Sequence, residues 1–257
     1  MKFSKGDSIS SNGPMIYSML LAIICVLVNQ AIVTQADPLS HSCFSHDNYT
    51  KGSPFEQNLN RSLEYIVNDS VNSTTGFYQA FIGQGEDLAC VSALCRADIT
   101  PNDCASCIAN ASVEIRNRCP TSKGSIIWYD QCQLKYHHVN FFGFIDHDNR
   151  LNWTSNNCAA SNDLSGFSAT VHDLLNNMTT GARDSEKLYT ESKITLNSTD
   201  VYGLVQCVGD LSLDDCTKCL QELIGDQTCA YVHSGGRVVD GSCNYRYESY
   251  SFINIQT

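Results

Sequence analysis

Apolar residues follow two periods along this chain, and the pair of patterns occurs twice. Phe55, Leu59, Leu63, Ile66 and Val67 recur at the three- and four-residue spacing that lines one face of a helix, and Phe167, Val171, Leu174 and Leu175 do so again further on. Elsewhere the period is two: Ile126 and Trp128, then Leu134, Tyr136 and His138, and later Val238, Cys243, Tyr245 and Tyr247. Aromatic and β-branched side chains of this kind suit a pleated surface. A helix start precedes each strand pattern. Thr100 and Ser212 are each followed three residues on by an aspartate, so that the two side chains can satisfy free amides of a first helical turn, and Pro101 suits the first helical position. Gly85, Gly124, Gly235 with Gly236, and Gly241 punctuate the strands as turns. The patterns predict an α+β fold in two tandem domains, each with two helices on one face of a small antiparallel sheet of about five strands.

The cysteines repeat with the same register. Cys95, Cys104 and Cys107 recur as Cys207, Cys216 and Cys219, all displaced by 112 positions, with eight and then two residues between them in both copies. Cys43, Cys119 and Cys132 correspond to Cys158, Cys229 and Cys243. Six cysteines per copy leave fifteen possible connectivities in each. Their number implies an oxidised framework of three disulfides per domain. Cys90 has no counterpart and is expected as a free or intermolecular thiol; Cys25 lies in the leader.

That leader carries Lys2 and Lys5, an apolar run from Met19 to Val28, and Thr34-Gln35-Ala36, a composition suited to signal-peptide cleavage after Ala36, with translation starting at Met1 or Met15. The run of ten residues is short of the roughly 20 needed to cross a bilayer, so a membrane anchor is not expected. The expected organisation is a signal peptide over 1–36, a first domain over 37–145, a polar linker over 146–157 containing Asp146, Asp148 and Asn149, and a second domain over 158–257. Asn-x-Ser/Thr triplets at Asn48, Asn60, Asn68, Asn72, Asn110, Asn152, Asn177 and Asn197 suit a secreted glycoprotein. Only 17% of residues are charged and the net charge is −11, which argues against nucleic acid and anionic membrane surfaces as partners.

The doubled eight-and-two cysteine spacing, with Gly52-Ser53-Pro54-Phe55 and Asn58-Leu59 at the head of the first copy, resembles the plant cysteine-rich repeat secretory proteins, whose unit is the ginkbilobin-homologous or stress-antifungal domain. The resemblance implies pairing of Cys43 with Cys119, Cys95 with Cys104, Cys107 with Cys132, Cys158 with Cys229, Cys207 with Cys216, and Cys219 with Cys243. It also implies a secreted, non-enzymatic recognition protein of the apoplast: a mannose-binding, antifungal protein, or else a module that binds other extracellular proteins such as receptor ectodomains.

One branch of that family binds mannose through an asparagine just after the first cysteine, an arginine six before the last and a glutamate five after it. A carboxylate and a guanidinium can bridge adjacent sugar hydroxyls. Those positions hold Phe44, Ile126 and His137 in the first copy and Ala159, Arg237 and Glu248 in the second, so any sugar site belongs to the second domain. Arg237 and Glu248 are equally the components of a cross-strand ion pair. Each member of Cys104-Ala105-Ser106-Cys107 and Cys216-Thr217-Lys218-Cys219 has an implied partner outside its motif, which leaves no thioredoxin-type dithiol or zinc site. Adjacent residues of a strand point to opposite faces, so His137 and His138 are expected at the surface and in the core respectively. No catalytic constellation, metal site or cofactor is expected. Thiol chemistry at Cys90 is the one enzymatic alternative.

Overall fold

The computed structural model describes residues 37–157, 164–196, 198–225, 231 and 233–253. The first domain runs β1 (Ser40–Ser42), α1 (Pro54–Asn72), β2 (Phe77–Ile82), one 3-10 turn (Gly85–Asp87), β3 (Ala89–Cys95), α2 (Pro101–Arg118), β4 (Gly124–Trp128) and β5 (Cys132–His137). The second repeats it as β6 (Leu151–Thr154), α3 (Leu164–Asp184), β7 (Tyr189–Leu196), β8 (Thr199–Cys207), α4 (Leu213–Gly225), β9 (Gly235–Val239) and β10 (Cys243–Glu248). The sheets are five-stranded and antiparallel, in the orders β1-β4-β5-β3-β2 and β6-β9-β10-β8-β7.

Local chemistry explains the helix starts. Ser53 Oγ accepts from the Glu56 amide ahead of Pro54. Thr100 Oγ1 accepts from the Asp103 amide at 3.2 Å and donates to its carboxylate at 2.7 Å, and Ser212 does the same with Asp215 at 3.1 and 2.6 Å. The apolar stripe of α1 packs on Val91, Ala93, Ile127, Leu134 and Tyr136, and that of α3 on Val201, Val205, Val238, Tyr245 and Tyr247. Five disulfides staple this core: Cys43 to Cys119, Cys95 to Cys104, Cys107 to Cys132, Cys207 to Cys216, and Cys219 to Cys243. Closing the first domain's loops of 76, 9 and 25 residues stabilises it by roughly 10 kcal/mol in the chain-entropy limit. Cys158, Cys229 and Ala159, like residues 1–36 expected as a signal peptide, lie outside the described residues.

β3 and β4 are buried along their whole length because both sheet faces are covered. One face meets the helices; the other meets the second domain. Ile127 points to the first domain's core, whereas Ile126 and Trp128 cluster with Val239 of β9, flanked by Phe44 and Leu151. Trp128 and Val239 each stand four residues before the last cysteine of their copy, so equivalent positions meet, as in an isologous dimer. The seam is hydrogen-bonded as well: Trp128 Nε1 donates to the Asp240 carbonyl at 3.3 Å, Gln133 Nε2 to Gly241 at 3.1 Å, and Gln206 Nε2 to Cys95 at 3.0 Å. Among the described residues no helix is long and apolar enough to cross a membrane.

Three local expectations need correction. The stretch 146–157, expected as a linker, contains β6, which pairs with β9; Leu151 and Trp153 alternate within four residues, too short a run to stand out against polar neighbours. Gly124, Gly235 and Gly236 are strand residues rather than turns, because a Cβ there would collide with His137, Glu248 and Tyr247 across the ladder. β5 ends at His137, so strand alternation does not reach His138; both imidazoles are half-buried and meet edge to face at 4.6 Å between centroids.

Candidate functional site

In each sheet a glycine opens the strand eight residues before the last cysteine and faces the residue five after it: Gly124 opposite His137, and Gly235 opposite Glu248. Two residues further along, Ile126 faces Lys135, and Arg237 faces Arg246. The backbone therefore offers the same concave position twice.

In the second domain that position is ionic. Arg237 Nη1 donates to Asp130 Oδ1 at 2.7 Å, and Nη2 to the carbonyls of Tyr129 and Asp130 at 3.4 and 3.5 Å. Arg246 Nη1 reaches the same Asp130 oxygen at 3.0 Å, while its Nε donates to Glu248 at 2.9 Å and Nη2 to the Tyr250 hydroxyl at 2.9 Å. Arg96 meets the other Asp130 oxygen at 3.0 Å. Asp130 belongs to the β4–β5 turn of the first domain, so Arg237 and Arg246 converge on it across the seam while Arg96 meets it from within its own domain. Arg237 and Glu248 are thus not paired with each other: Arg237 is committed to Asp130, and Glu248 to Arg246. Burial pulls the Arg237 guanidinium down to about 10 despite Asp130. Burial pushes Asp130 the other way, and Arg237, Arg246 and Arg96 together hold it below the usual carboxylate range. Beside the knot lies an open groove of about 330 Å³ lined by Asp130, Trp153, Arg237, Glu248 and Tyr250, with Trp153 36% and Tyr250 55% exposed.

In the first domain the position is aromatic. The rings of Phe44 and His137 lie 5.3 Å apart, and Phe44 packs with Ile126. Burial, then the neighbouring His138 and Lys135, lower His137 to about 4, so its imidazole is neutral. Lys135, equivalent to Arg246, is 4% exposed, binds Asp146 at 2.6 Å and lies over Phe141 at 4.3 Å. A larger groove of about 1010 Å³ opens here between the sheet and the connector 138–149. The connector is pinned by His147, whose Nδ1 and Nε2 reach Asp240 at 2.6 Å and Glu222 at 2.7 Å. Carboxylates only accept at neutral pH, so both ring nitrogens donate and the ring is an imidazolium.

Cys90 is the one described cysteine outside a disulfide. It is 1% exposed, and burial raises its thiol to about 11, the opposite of the depressed value an attacking thiolate needs. Both observations argue against a redox role or an intermolecular bridge for Cys90 in the folded protein. Among the described residues His147, Cys219 and Asp240 bring potential metal ligands together, but the Cys219 sulfur is already bonded to Cys243 and offers no thiolate. Asn48, Asn60, Asn68, Asn72, Asn152 and Asn177 are exposed, and Asn110 is half-buried on α2; Asn197 lies outside the described residues.

Sequence reasoning missed Asp130, Lys135, Arg246 and Trp153. A signal existed for two of them: the position three after the last cysteine is basic in both copies. None existed for Asp130, two of whose three arginine partners belong to the other domain.

The model of the salt stress response/antifungal domain matches residues 42–139 and 153–250. An antimicrobial ginkbilobin-2-like protein of Castanea crenata is 40% identical over 245 residues, covering 93% of this chain and 100% of that relative. Cysteine-rich repeat secretory protein 38 of Arabidopsis thaliana is 37% identical over 247 residues, 92% of this chain and 95% of the relative. Among solved structures, the tandem DUF26 ectodomain of the Arabidopsis thaliana cysteine-rich receptor-like protein PDLP8 superposes with a TM-score of 0.74 at 28% identity, over 84% of this chain and 100% of that one.

Proposed function

The chain belongs to the salt stress response/antifungal family of tandem, disulfide-bonded extracellular proteins, and from that premise we propose that it is a non-enzymatic recognition protein of the plant apoplast that binds other extracellular proteins through two domains acting as one body. The observation that carries this reading is the knot at Asp130. It consumes both terminal nitrogens of Arg237, which a sugar-binding site would need free, and uses them to lock the domains together. A rigid tandem presents one continuous surface, and preorganisation of that kind favours protein partners. Likeness to a receptor-like ectodomain supports the same class of partner.

A second reading, mannose-type glycan binding with an antifungal role, draws on the groove beside the knot. Trp153 and Tyr250 offer exposed rings for a pyranose face, and Glu248 and Asp130 offer acceptors for its hydroxyls. The antimicrobial name of the Castanea relative belongs with this reading.

Two measurements on the mature, oxidised protein separate them. Biolayer interferometry against tandem DUF26 ectodomains is expected to give saturable binding; calorimetry with methyl α-mannoside and mannan is expected to give no heat. Mannoside binding that Trp153→Ala and Glu248→Gln abolish, without ectodomain binding, would overturn the first reading in favour of the second.

A further inference from the structure

The larger groove, between the first domain's sheet and the connector, has a chemistry that neither reading uses. We propose that it is a docking site for a basic peptide segment of an extracellular partner, a short stretch with lysine or arginine beside apolar side chains. The proposal rests on the protein-recognition reading and gives it a location.

Shape comes first. The groove encloses about 1010 Å³, at the upper end of ligand sites and enough for several side chains. Its walls are preformed: the connector is tied down by His147 on Asp240 and Glu222, by the Asp146 amide on Ser242 at 2.8 Å, and by the Gly241 amide on the Asp146 carbonyl at 3.2 Å. Phe144 at 68% and Val139 at 52% exposure stand on its rim, with Phe44 and Phe141 deeper. Large apolar side chains grouped at the mouth of a groove mark contact surface more often than chance exposure.

Charge then selects the occupant. Asp47, Asp146 and Asp148 line the groove together with one ammonium, Lys135, and the His147 imidazolium, whose ring nitrogens are taken by Asp240 and Glu222. Lys135 is 4% exposed and already paired with Asp146, whereas Asp47, which meets the His138 ring at 3.3 Å, stays 68% exposed, so the charge that faces an incoming ligand is that of Asp47 and of exposed Asp148. His137 is neutral. An anionic segment would find no unpaired cation. A cationic one would find two carboxylates and phenylalanine rings of the kind that already hold an ammonium, Lys135 over Phe141 at 4.3 Å. The net charge of −11 steers the same partners inward.

The probe is a fluorescein-labelled, amidated hexapeptide, Gly-Phe-Lys-Phe-Lys-Gly, with a twin carrying glutamate for lysine, followed by anisotropy. The lysine peptide is expected to bind saturably and the glutamate peptide not at all. Phe144→Ala, and separately Asp47→Asn with Asp148→Asn, should each weaken binding about tenfold or more. These side chains are exposed, so the thermal midpoint should not move, and Trp153→Ala in the other groove should leave peptide binding unchanged. No binding of the lysine peptide, equal binding of its glutamate twin, or equal binding by the groove variants would overturn the proposal. DUF26 ectodomain binding, measured on the same proteins, tells the two failures apart. Ectodomain binding untouched by Phe144→Ala sinks the groove but leaves the recognition reading standing; peptide binding without ectodomain binding does the reverse.

Discussion

Two strand positions that are equivalent by their distance from the last cysteine carry opposite chemistry in the two domains. Ile126 and His137 join Phe44 in an aromatic cluster whose imidazole is neutral, whereas Arg237 and Glu248 sit in a charged knot. The basic residue next to them, Lys135 or Arg246, is retained in both, and its counter-ion arrives from different directions. Lys135 takes Asp146 from the connector; Arg246 takes Asp130 from the other domain's turn. The position equivalent to Asp130 is Gly241, and a Cβ there would run into Asp146. Each turn thus reaches toward the neighbouring domain's site, one delivering a carboxylate and the other leaving room for one. A residue's fitness for sugar binding in a tandem is therefore decided partly by the other copy.

The largest expected effect comes from removing the shared counter-ion. Asp130→Ala takes from Arg237, 15% exposed, the carboxylate it is paired with, while Arg96 keeps Asp98 and Arg246 keeps Glu248. Stripping a buried charge of its partner costs about 3–5 kcal/mol, to be read from urea denaturation. Asp146→Ala leaves Lys135 without its carboxylate and the Asp148 amide and Asn149 side chain without their acceptor, but Lys135 borders the larger groove, where water can replace the anion, so the cost should be less, about 1–3 kcal/mol. Equal losses would mean that the knot does not couple the domains. The knot also has an acid limit. Because Asp130 is held below the usual carboxylate range, its contribution is present above its unfolded value and is lost as pH falls through the folded one.

The glycines sharpen the comparison at intermediate size. Gly124→Ala and Gly235→Ala each place a methyl group against the facing side chain, an overpacking cost of about 1–3 kcal/mol. The first should cost more. At Gly124 the methyl meets the His137 ring, the Phe44 ring and Ser45, all fixed by packing; at Gly235 it meets chiefly the Glu248 carboxylate, the end of a side chain that can turn. The reverse order in thermal midpoints would show that the aromatic cluster yields more easily than the ion network.

Most of the architecture is legible in the chain because cysteine spacing, helix caps and apolar periodicity are local signals that agree. Thr100 and Ser212 cap the helices that their aspartates suggest, and Leu134, Tyr136, Tyr245 and Tyr247 face the cores that their alternation implies. What escapes the sequence is what the packing of domains adds. Ile126 and Trp128 alternate correctly but look outward, into the second domain rather than the helices. β3, from Ala89 to Cys95, shows no alternation because both its faces are covered. At the site, Arg237 and Glu248 can be located from cysteine spacing alone, but their partners cannot, since Asp130 lies 107 residues from Arg237.

The smallest expected effect is a difference in pH response between the first domain's cluster and the clamp that holds the connector. His137 and His147 both start from an ordinary value of 6.5 and move apart. Burial carries His137 down to about 4, so the unfolded chain takes up its proton first and the stability that His137 contributes declines as pH falls from 6.5 toward that value. His147 is raised by its hydrogen bond to Asp240, with help from Glu222 and against burial and Arg150, so its contribution is complete below 6.5 and declines as pH rises through its higher folded value. Lys218, 4.0 Å from Glu222, competes only weakly for that carboxylate. Urea midpoints measured on both sides of 6.5 should therefore fall away in each direction. His137→Phe, which keeps a ring beside Phe44, should flatten the acid limb alone, and His147→Gln the alkaline limb alone while lowering the whole curve, because Asp240 is fully buried and loses its cation. An alkaline limb that survives His147→Gln would assign it to another group and leave the clamp without a role in pH response.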